Sequence, residues 1–137
     1  MSRSLDDLDP AFKPLAIELI ARLIEQGIMH MIIDTLRTPE EQAENLAKGV
    51  SWTLKSKHLA QPPLGKSKAI DLCPFLQYDL YSTDKLQWDA KDPVWQKMGT
   101  VAKKISGIKW GVWLANSAGF LVNVDPGHFQ LVEDSEG

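Results

Sequence analysis

The chain has 137 residues, 44% of them hydrophobic, and a formal net charge of −3, which fits one globular domain able to bury a core without staples. The charge leaves no basic footprint for nucleic acid, and a single cysteine, Cys73, excludes an internal disulfide framework. The opening "MSRSLDDLDP" has no apolar stretch behind a basic start, so no secretory signal is expected. The most apolar window, "PLAIELIARLIEQGIMHMIID", is broken by Glu18, Arg22, Glu25 and Gln26 and is too polar for a span. The expectation is a chain made and folded in the cytoplasm, without membrane insertion, that needs something other than a signal peptide to work elsewhere.

In chain order, Asp9-Pro10 reads as an N-cap followed by proline at the first helical position. Leu15, Leu19 and Leu23 then repeat at helical spacing with Ile20 and Ile24, opposite Glu18, Arg22 and Glu25, up to Gly27. Pro14 pushes the regular helix one turn later. "IMHMIIDTL" (28–36) reads as a buried strand. "TPEEQAENLAKG" carries Thr38 as N-cap, Pro39 at the first position, Glu41 closing a capping box and Gly49 as the stop. Residues 50–68 read mostly as loop, and "KAIDLCP" as a short strand ended by Pro74.

Residues 75–92 mix aromatics with turn formers, as in an irregular hairpin or excursion. Asp92-Pro93 starts another helix, with Val94, Met98, Val101, Ala102 and Ile105 on its apolar face and Gly107 as the stop. "IKWGVWL", "FLVNV" and, after the turn "DPG" (125–127), "HFQLV" read as strands, and residues 133–137 as a frayed tail. There is no repeat or linker. This order predicts a single α+β domain over 1–137, with its core in about 8–132 and helices packed on one side of a small, mostly antiparallel sheet.

Three histidines can be weighed singly. His30, between Met29 and Met31 in an apolar strand, reads as a partly buried structural residue. His58 opens a loop beside Ser56, and His128 follows the proline-glycine turn. Each has a carboxylate that needs explaining. Asp71 lies in "AIDLC", where burial of a lone carboxylate is costly unless it is paired or binds metal. Asp125 stands three residues before His128 across the turn, although Asp-Pro-Gly is also plain turn chemistry. On the residues alone, a metal site and solvated turn residues both remain open.

The ordered motifs Ser-x-His, Ala-x-Asp-Leu and Asp-x-x-His-Phe-Gln resemble the zinc peptidases that cut peptidoglycan stem peptides. That family includes D-alanyl-D-alanine carboxypeptidases and dipeptidases, and the L-alanyl-D-glutamate endopeptidases of phage endolysins. "LRTPEEQ" is similar to the family's Tyr-Arg-(Ser/Thr)-Pro-x-x-Gln segment, and "IKWG" to the tryptophan-glycine before the last motif. The resemblance covers about residues 8–132 and implies that His58, Asp71 and His128 bind Zn²⁺. Two imidazoles and a carboxylate suit that ion and leave a position for water. It further implies that Asp125 is the catalytic carboxylate, that Arg37 binds substrate or stabilises the developing oxyanion, and that Ser56 positions substrate.

Two departures stand out. Twelve residues, "LAQPPLGKSKAI", separate His58 from Asp71, where the family keeps this segment short. Val112 in "WGVW" replaces a more usual glycine. "LGKS" is not a phosphate loop, because Ala60 occupies the place of the first glycine. Cys73 shares a strand face with Asp71 by alternation and reads as a buried, inert thiol. The tryptophans read mostly as core or cleft wall, with Trp52 and Trp113 as candidate substrate contacts.

The expectation is therefore a monomeric zinc endopeptidase acting as a phage or prophage endolysin. It would be made in the host cytoplasm and reach the wall after membrane permeabilisation. A D-alanyl-D-alanine carboxypeptidase or dipeptidase is the alternative within the family. A catalytically silent wall-binding or virion domain is the alternative outside enzymes.

Overall fold

The computed structural model describes residues 2–49, 56–75 and 86–133. The expectations for Trp52 and for most of the 75–92 excursion lie outside them. Three α-helices are described, α1 (Lys13–Glu25), α2 (Pro39–Ala47) and α3 (Pro93–Lys103). The strands are β1 (His30–Asp34), β2 (Ala69–Pro74), β3 (Ile108–Trp110), β4 (Trp113–Ala115), β5 (Leu121–Asn123) and β6 (His128–Leu131). Four of them form an antiparallel sheet in the order β1-β2-β6-β3, and β4 and β5 pair separately. The expected α+β architecture is the observed one.

Period-two alternation divides the large sheet into two faces. Ile70, Leu72, Phe129, Ile108 and Trp110 join Ala16, Leu19 and Leu23 of α1 and Trp95, Met98 and Ala102 of α3 in one buried cluster. The register pairs Asp71 with His128 and Ile70 with Phe129. Asp71, His128 and Gln130 therefore share the opposite face. In this way an ordinary sandwich of helices on a sheet leaves one polar face for chemistry.

Local capping explains where the helices begin. Thr38 Oγ1 accepts from Glu41 N at 3.1 Å, and Glu41 Oε1 accepts from Thr38 N at 3.2 Å, so the expected capping box closes α2. Asp92 caps α3 through Val94 N at 2.9 Å. Asp9 differs from expectation. Its carboxylate accepts from Ala11 N at 2.8 Å and its carbonyl from Phe12 N and Lys13 N, so it organises a turn before α1. The regular helix starts with Pro14 in its first turn, where a missing N–H is harmless.

The long segment after His58 returns to its own start. Gln61 N donates to Lys66 O at 2.9 Å, and Lys68 N to Lys57 O at 3.0 Å. Between these ties, residues 62–65 are all exposed. The extra length forms an excursion beside the sheet, and both ends stay fixed, which accords with the slow growth of loop entropy with length.

Trp110 fits flush against α3. A Cβ placed on Gly99 would come within 2.5 Å of its indole, and the indole is held by donation from Nε1 to Pro126 O at 2.7 Å. Gly99→Ala should therefore lower stability by about 1–2 kcal/mol in urea unfolding. Overpacking costs about 1–3 kcal/mol and outweighs the roughly 1 kcal/mol of added helix propensity. A more stable variant would show that the indole can move aside.

Candidate metal centre

Three segments converge on the polar face. β2 contributes Asp71, and β6 contributes His128 directly across the ladder. The loop before β2 contributes His58, whose side chain is almost wholly buried. One nitrogen from each imidazole and an Asp71 oxygen all lie within 4.8 Å of one another. The rings of His58 and His128 meet edge to face, with centroids 5.1 Å apart.

The hydrogen bonds behind each ring fix which nitrogen faces inward. Thr35 O lies 2.8 Å from His58 Nδ1; a carbonyl can only accept, so Nδ1 carries the proton. His58 Nε2 is then left with a lone pair, 3.0 Å from Asp71 Oδ1 but without a hydrogen-bond partner. His128 Nε2 lies 2.9 Å from Gln130 Oε1, and its Nδ1 lies 3.1 Å from Asp71 Oδ1. With Nε2–H donated to Gln130, His128 also presents a lone pair. Two imidazole lone pairs and a carboxylate then point at one place, an arrangement that calls for a cation. The donor set fits Zn²⁺.

Without an ion, protons must compensate. Burial alone would raise the Asp71 carboxyl, yet His58 and His128 overcome it and hold Asp71 well below the usual carboxylate range. Burial lowers His128, but its bond to Asp71 and the carboxylates of Asp71 and Asp125 outweigh this and raise it. Asp125 is pushed up to about 6, first by burial and then by the Asp71 charge, against the pull of His128, His58 and Arg37. Its turn is tightly built. Asn123 Oδ1 accepts from Asp125 N at 3.1 Å, and Leu72 N donates to Gly127 O at 2.9 Å. A Cβ on Gly127 would meet Leu72 O at 2.6 Å, so only glycine fits without movement.

Arg37 reaches the same face through a clamp. Its Nε and Nη2 donate to Asp34 Oδ2 at 2.8 and 2.5 Å, and Nη1 donates to Gln42 Oε1 at 2.5 Å. Nη2 is 3.6 Å from Asp71 Oδ2. The ladder slips between Ile32 and Asp34, so Asp34 stands opposite Asp71; such a bulge re-aims a side chain. Burial raises the Asp34 carboxyl against the pull of His58 and Arg37.

Ser56 sits beside His58 as expected, with its Oγ accepting from His58 N at 3.1 Å. That contact shapes the turn bearing the histidine. Cys73 is buried and its Sγ donates to Gln87 O at 3.4 Å; it is not in the converging group. His30 is half-buried, with Nδ1 3.0 Å from Ile28 O. Trp113 remains substantially exposed.

Sequence reasoning assigned no role to Asp34, Thr35, Gln42 or Gln130. Gln42 and Gln130 stood inside quoted motifs, and Asp34 was a carboxylate ending an apolar run. Thr35 acts through its carbonyl, for which no residue type gives a signal. A separate open groove of about 1000 Å³, lined in part by Arg22, Glu25, Met29, Lys97 and Lys104, shares no residue with this centre.

A convergent two-histidine, one-aspartate centre on an antiparallel sheet, with a further partly buried carboxyl beside it, has the donor set of a metal site. The chain belongs to the phage L-alanyl-D-glutamate peptidase family, whose model matches residues 1–132. It is thus a peptidoglycan peptidase by family. Its fold is similar to that of the Serratia marcescens L-Ala D-Glu endopeptidase ChiX, with a TM-score of 0.64 and 18% identity, covering 96% of this chain and 87% of that one. It is also similar to VanYB, solved in complex with D-alanine-D-alanine. There the TM-score is 0.52 at 16% identity, over 94% of this chain and 74% of that one. No curated protein matches the chain by sequence.

Two outcomes follow from this geometry. Gln130→Leu removes the group that orients His128 and should weaken metal binding by about 10–100-fold, measured by competition with a chelator. Unchanged affinity would mean that backbone position alone holds the ring. In metal-free protein, Asp125 ionises at about 6 against 3.8 for its ordinary value, and His128 lies above 6.5. Both contributions are present at low pH. The first is lost as pH rises from about 4 through 6, and the second as pH passes above 6.5. The melting temperature of chelator-treated protein should therefore fall between pH 5 and 8, and a flat or rising trend would contradict the assignment.

Proposed function

We propose that the protein is a zinc-dependent L-alanyl-D-glutamate endopeptidase that cleaves peptidoglycan stem peptides and serves as a phage or prophage endolysin. His58 Nε2, Asp71 and His128 Nδ1 hold the ion. The observation that carries this reading is the convergence of His58 Nε2, His128 Nδ1 and an Asp71 oxygen within 4.8 Å of one another, with the partly buried carboxyl of Asp125 close enough to feel their charges. Zinc bound there supplies an open coordination position, acidification of water to near neutral pH and polarisation of the scissile carbonyl.

Asp125 is the general base and acid. A partly buried carboxylate beside the ion would take a proton from the attacking water and return it to the departing amine. Arg37 is the substrate residue. Held by Asp34 and Gln42, its guanidinium is a preoriented donor for a substrate carboxylate or for the oxyanion that develops at the carbonyl. In stem peptides the D-glutamate residue continues through its side-chain carboxyl, so its α-carboxylate lies next to the scissile amide. Arg37 suits that group. Ser56 supports His58 and lies at the edge of the same site.

The spare carboxylate favours an enzyme over a silent wall-binding or virion domain, because a structural zinc site has no use for a protonatable neighbour. No helix among the described residues is long and apolar enough to cross a membrane. Synthesis in the host cytoplasm, with access to the wall after the membrane is breached, is the route consistent with this reading.

Mass spectrometry of muropeptides released from purified sacculi tests the bond. New N-terminal D-glutamate is expected, and free D-alanine would instead mark a carboxypeptidase. Asp125→Asn should keep zinc and lower kcat by about 10²–10⁴-fold, whereas His58→Ala, Asp71→Ala and His128→Ala should each lose zinc. Full activity in the three ligand variants would overturn the metal assignment.

A further inference from the structure

The β4–β5 ribbon stands apart from the core. Every residue from Trp113 to Val122 is exposed, although the ribbon is well built. At its tip, Asn116 Oδ1 accepts from Ala118 N and Phe120 N, both at 3.0 Å. At its base, Asn123 Oδ1 accepts from Val112 N at 3.2 Å, and Trp113 meets Trp110 edge to face at 5.6 Å. The exposure is therefore a property of an ordered element.

Its composition is wrong for water. The register pairs Trp113 with Asn123, Leu114 with Val122 and Ala115 with Leu121, so alternation puts apolar side chains on both faces. Phe120 is 70% exposed and Leu121 68%. No charged residue occurs between Trp110 and Val124, although exposed strand edges ordinarily carry charges that discourage association. A flat partner would cover only one face. A medium that surrounds the ribbon would cover both.

The charge around it selects the medium. Of the four lysines in residues 93–124, Lys97 and Lys104 line the separate groove with Glu25, while Lys103 ends α3 and Lys109 lies on β3, next to the ribbon's base. Lys103 Nζ lies 5.2 Å from the centre of the Trp110 ring at the ribbon's base. Lys109 precedes the ribbon on β3 and is exposed.

We propose that the β4–β5 ribbon docks the protein on a bilayer surface containing anionic lipid. Phe120, Leu121, Leu114 and Val122 enter the interface, and Lys103 and Lys109 face the headgroups. Strands of three residues are far too short to span a bilayer, so the attachment is peripheral. This adds a membrane surface to a chain whose sequence suggested no insertion. It depends on neither the metal nor the scissile bond.

The test is co-sedimentation of the full chain with vesicles of phosphatidylcholine, with or without phosphatidylglycerol, at low and high salt. Binding to the anionic vesicles is expected, weakening as salt rises. Replacing both apolar tip residues, Phe120→Ser with Leu121→Asp, should lower the partition coefficient by about tenfold or more. Lys103→Gln and Lys109→Gln should each lower it by about fivefold and flatten the salt dependence. The double variant should digest lipid-free sacculi as the parent does, which separates loss of docking from loss of folding. No binding to either vesicle at low salt, or undiminished binding by the double variant, overturns the proposal. So does a double variant that binds lipid-free sacculi less well, which assigns the ribbon to glycan. A parent dimer that the double variant abolishes in sedimentation velocity assigns it to a second copy.

Discussion

A buried carboxylate between two imidazoles governs this molecule. Asp71 faces His128 across the β2–β6 ladder and His58 from the preceding loop. Isolated, such a carboxylate would cost several kcal/mol to bury; here two cationic or metal-bound neighbours keep it charged. The same arrangement frustrates the metal-free protein, because both ring nitrogens facing Asp71 are acceptors once their outer nitrogens have donated. A divalent cation satisfies all three groups together. The centre is therefore both the candidate functional site and, through His128 and Asp125, a source of pH-dependent stability in the metal-free protein.

Much of the surrounding structure orients these three side chains. Thr35 O receives both His58 Nδ1, at 2.8 Å, and Ser67 Oγ, at 2.7 Å, so one carbonyl anchors the histidine and the entry to β2. Arg37 N donates to His58 O at 2.8 Å, which links the arginine's segment to the histidine's loop. Gln130 stands two residues beyond His128 on the same strand face and reaches back to its ring. Since each support comes from an element already fixed by the core, the site needs little rearrangement to receive an ion.

The fold was legible because its local signals agree with one another. The Thr38–Glu41 capping box, the Asp92-Pro93 start and the apolar run of β2 each specify the observed element without tertiary help. The converging residues were legible for another reason, since His58, Asp71 and His128 are chemically out of place in loops and strands. The clamp on Arg37 was hidden because it depends on a register slip at Asp34, which no alternation pattern announces. Asp9 organises a turn instead of capping α1, because Asp-Pro serves a turn as well as a helix, and α1 starts one turn later, as Pro14 implied. The separation of β4 and β5 from the main sheet was hidden too, since a strand-forming run does not say which sheet it joins.

Both departures from the family pattern lie at the margin of the polar face. The lengthened segment after His58 closes on itself at Gln61 and Lys66, so His58 and Asp71 keep their places on the sheet. Val112 takes part in the base of the ribbon through Asn123, next to Gly111, whose positive φ of 79° and close contact with Asn123 tolerate no side chain. The ribbon thus starts from a rigid joint one residue after β3 and returns to Asp125 two residues after β5. Asn123 Oδ1 accepts from both Val112 N and Asp125 N, so one side chain ties the base of the ribbon to the turn that carries Asp125, and the two cannot shift independently without breaking that pair of bonds.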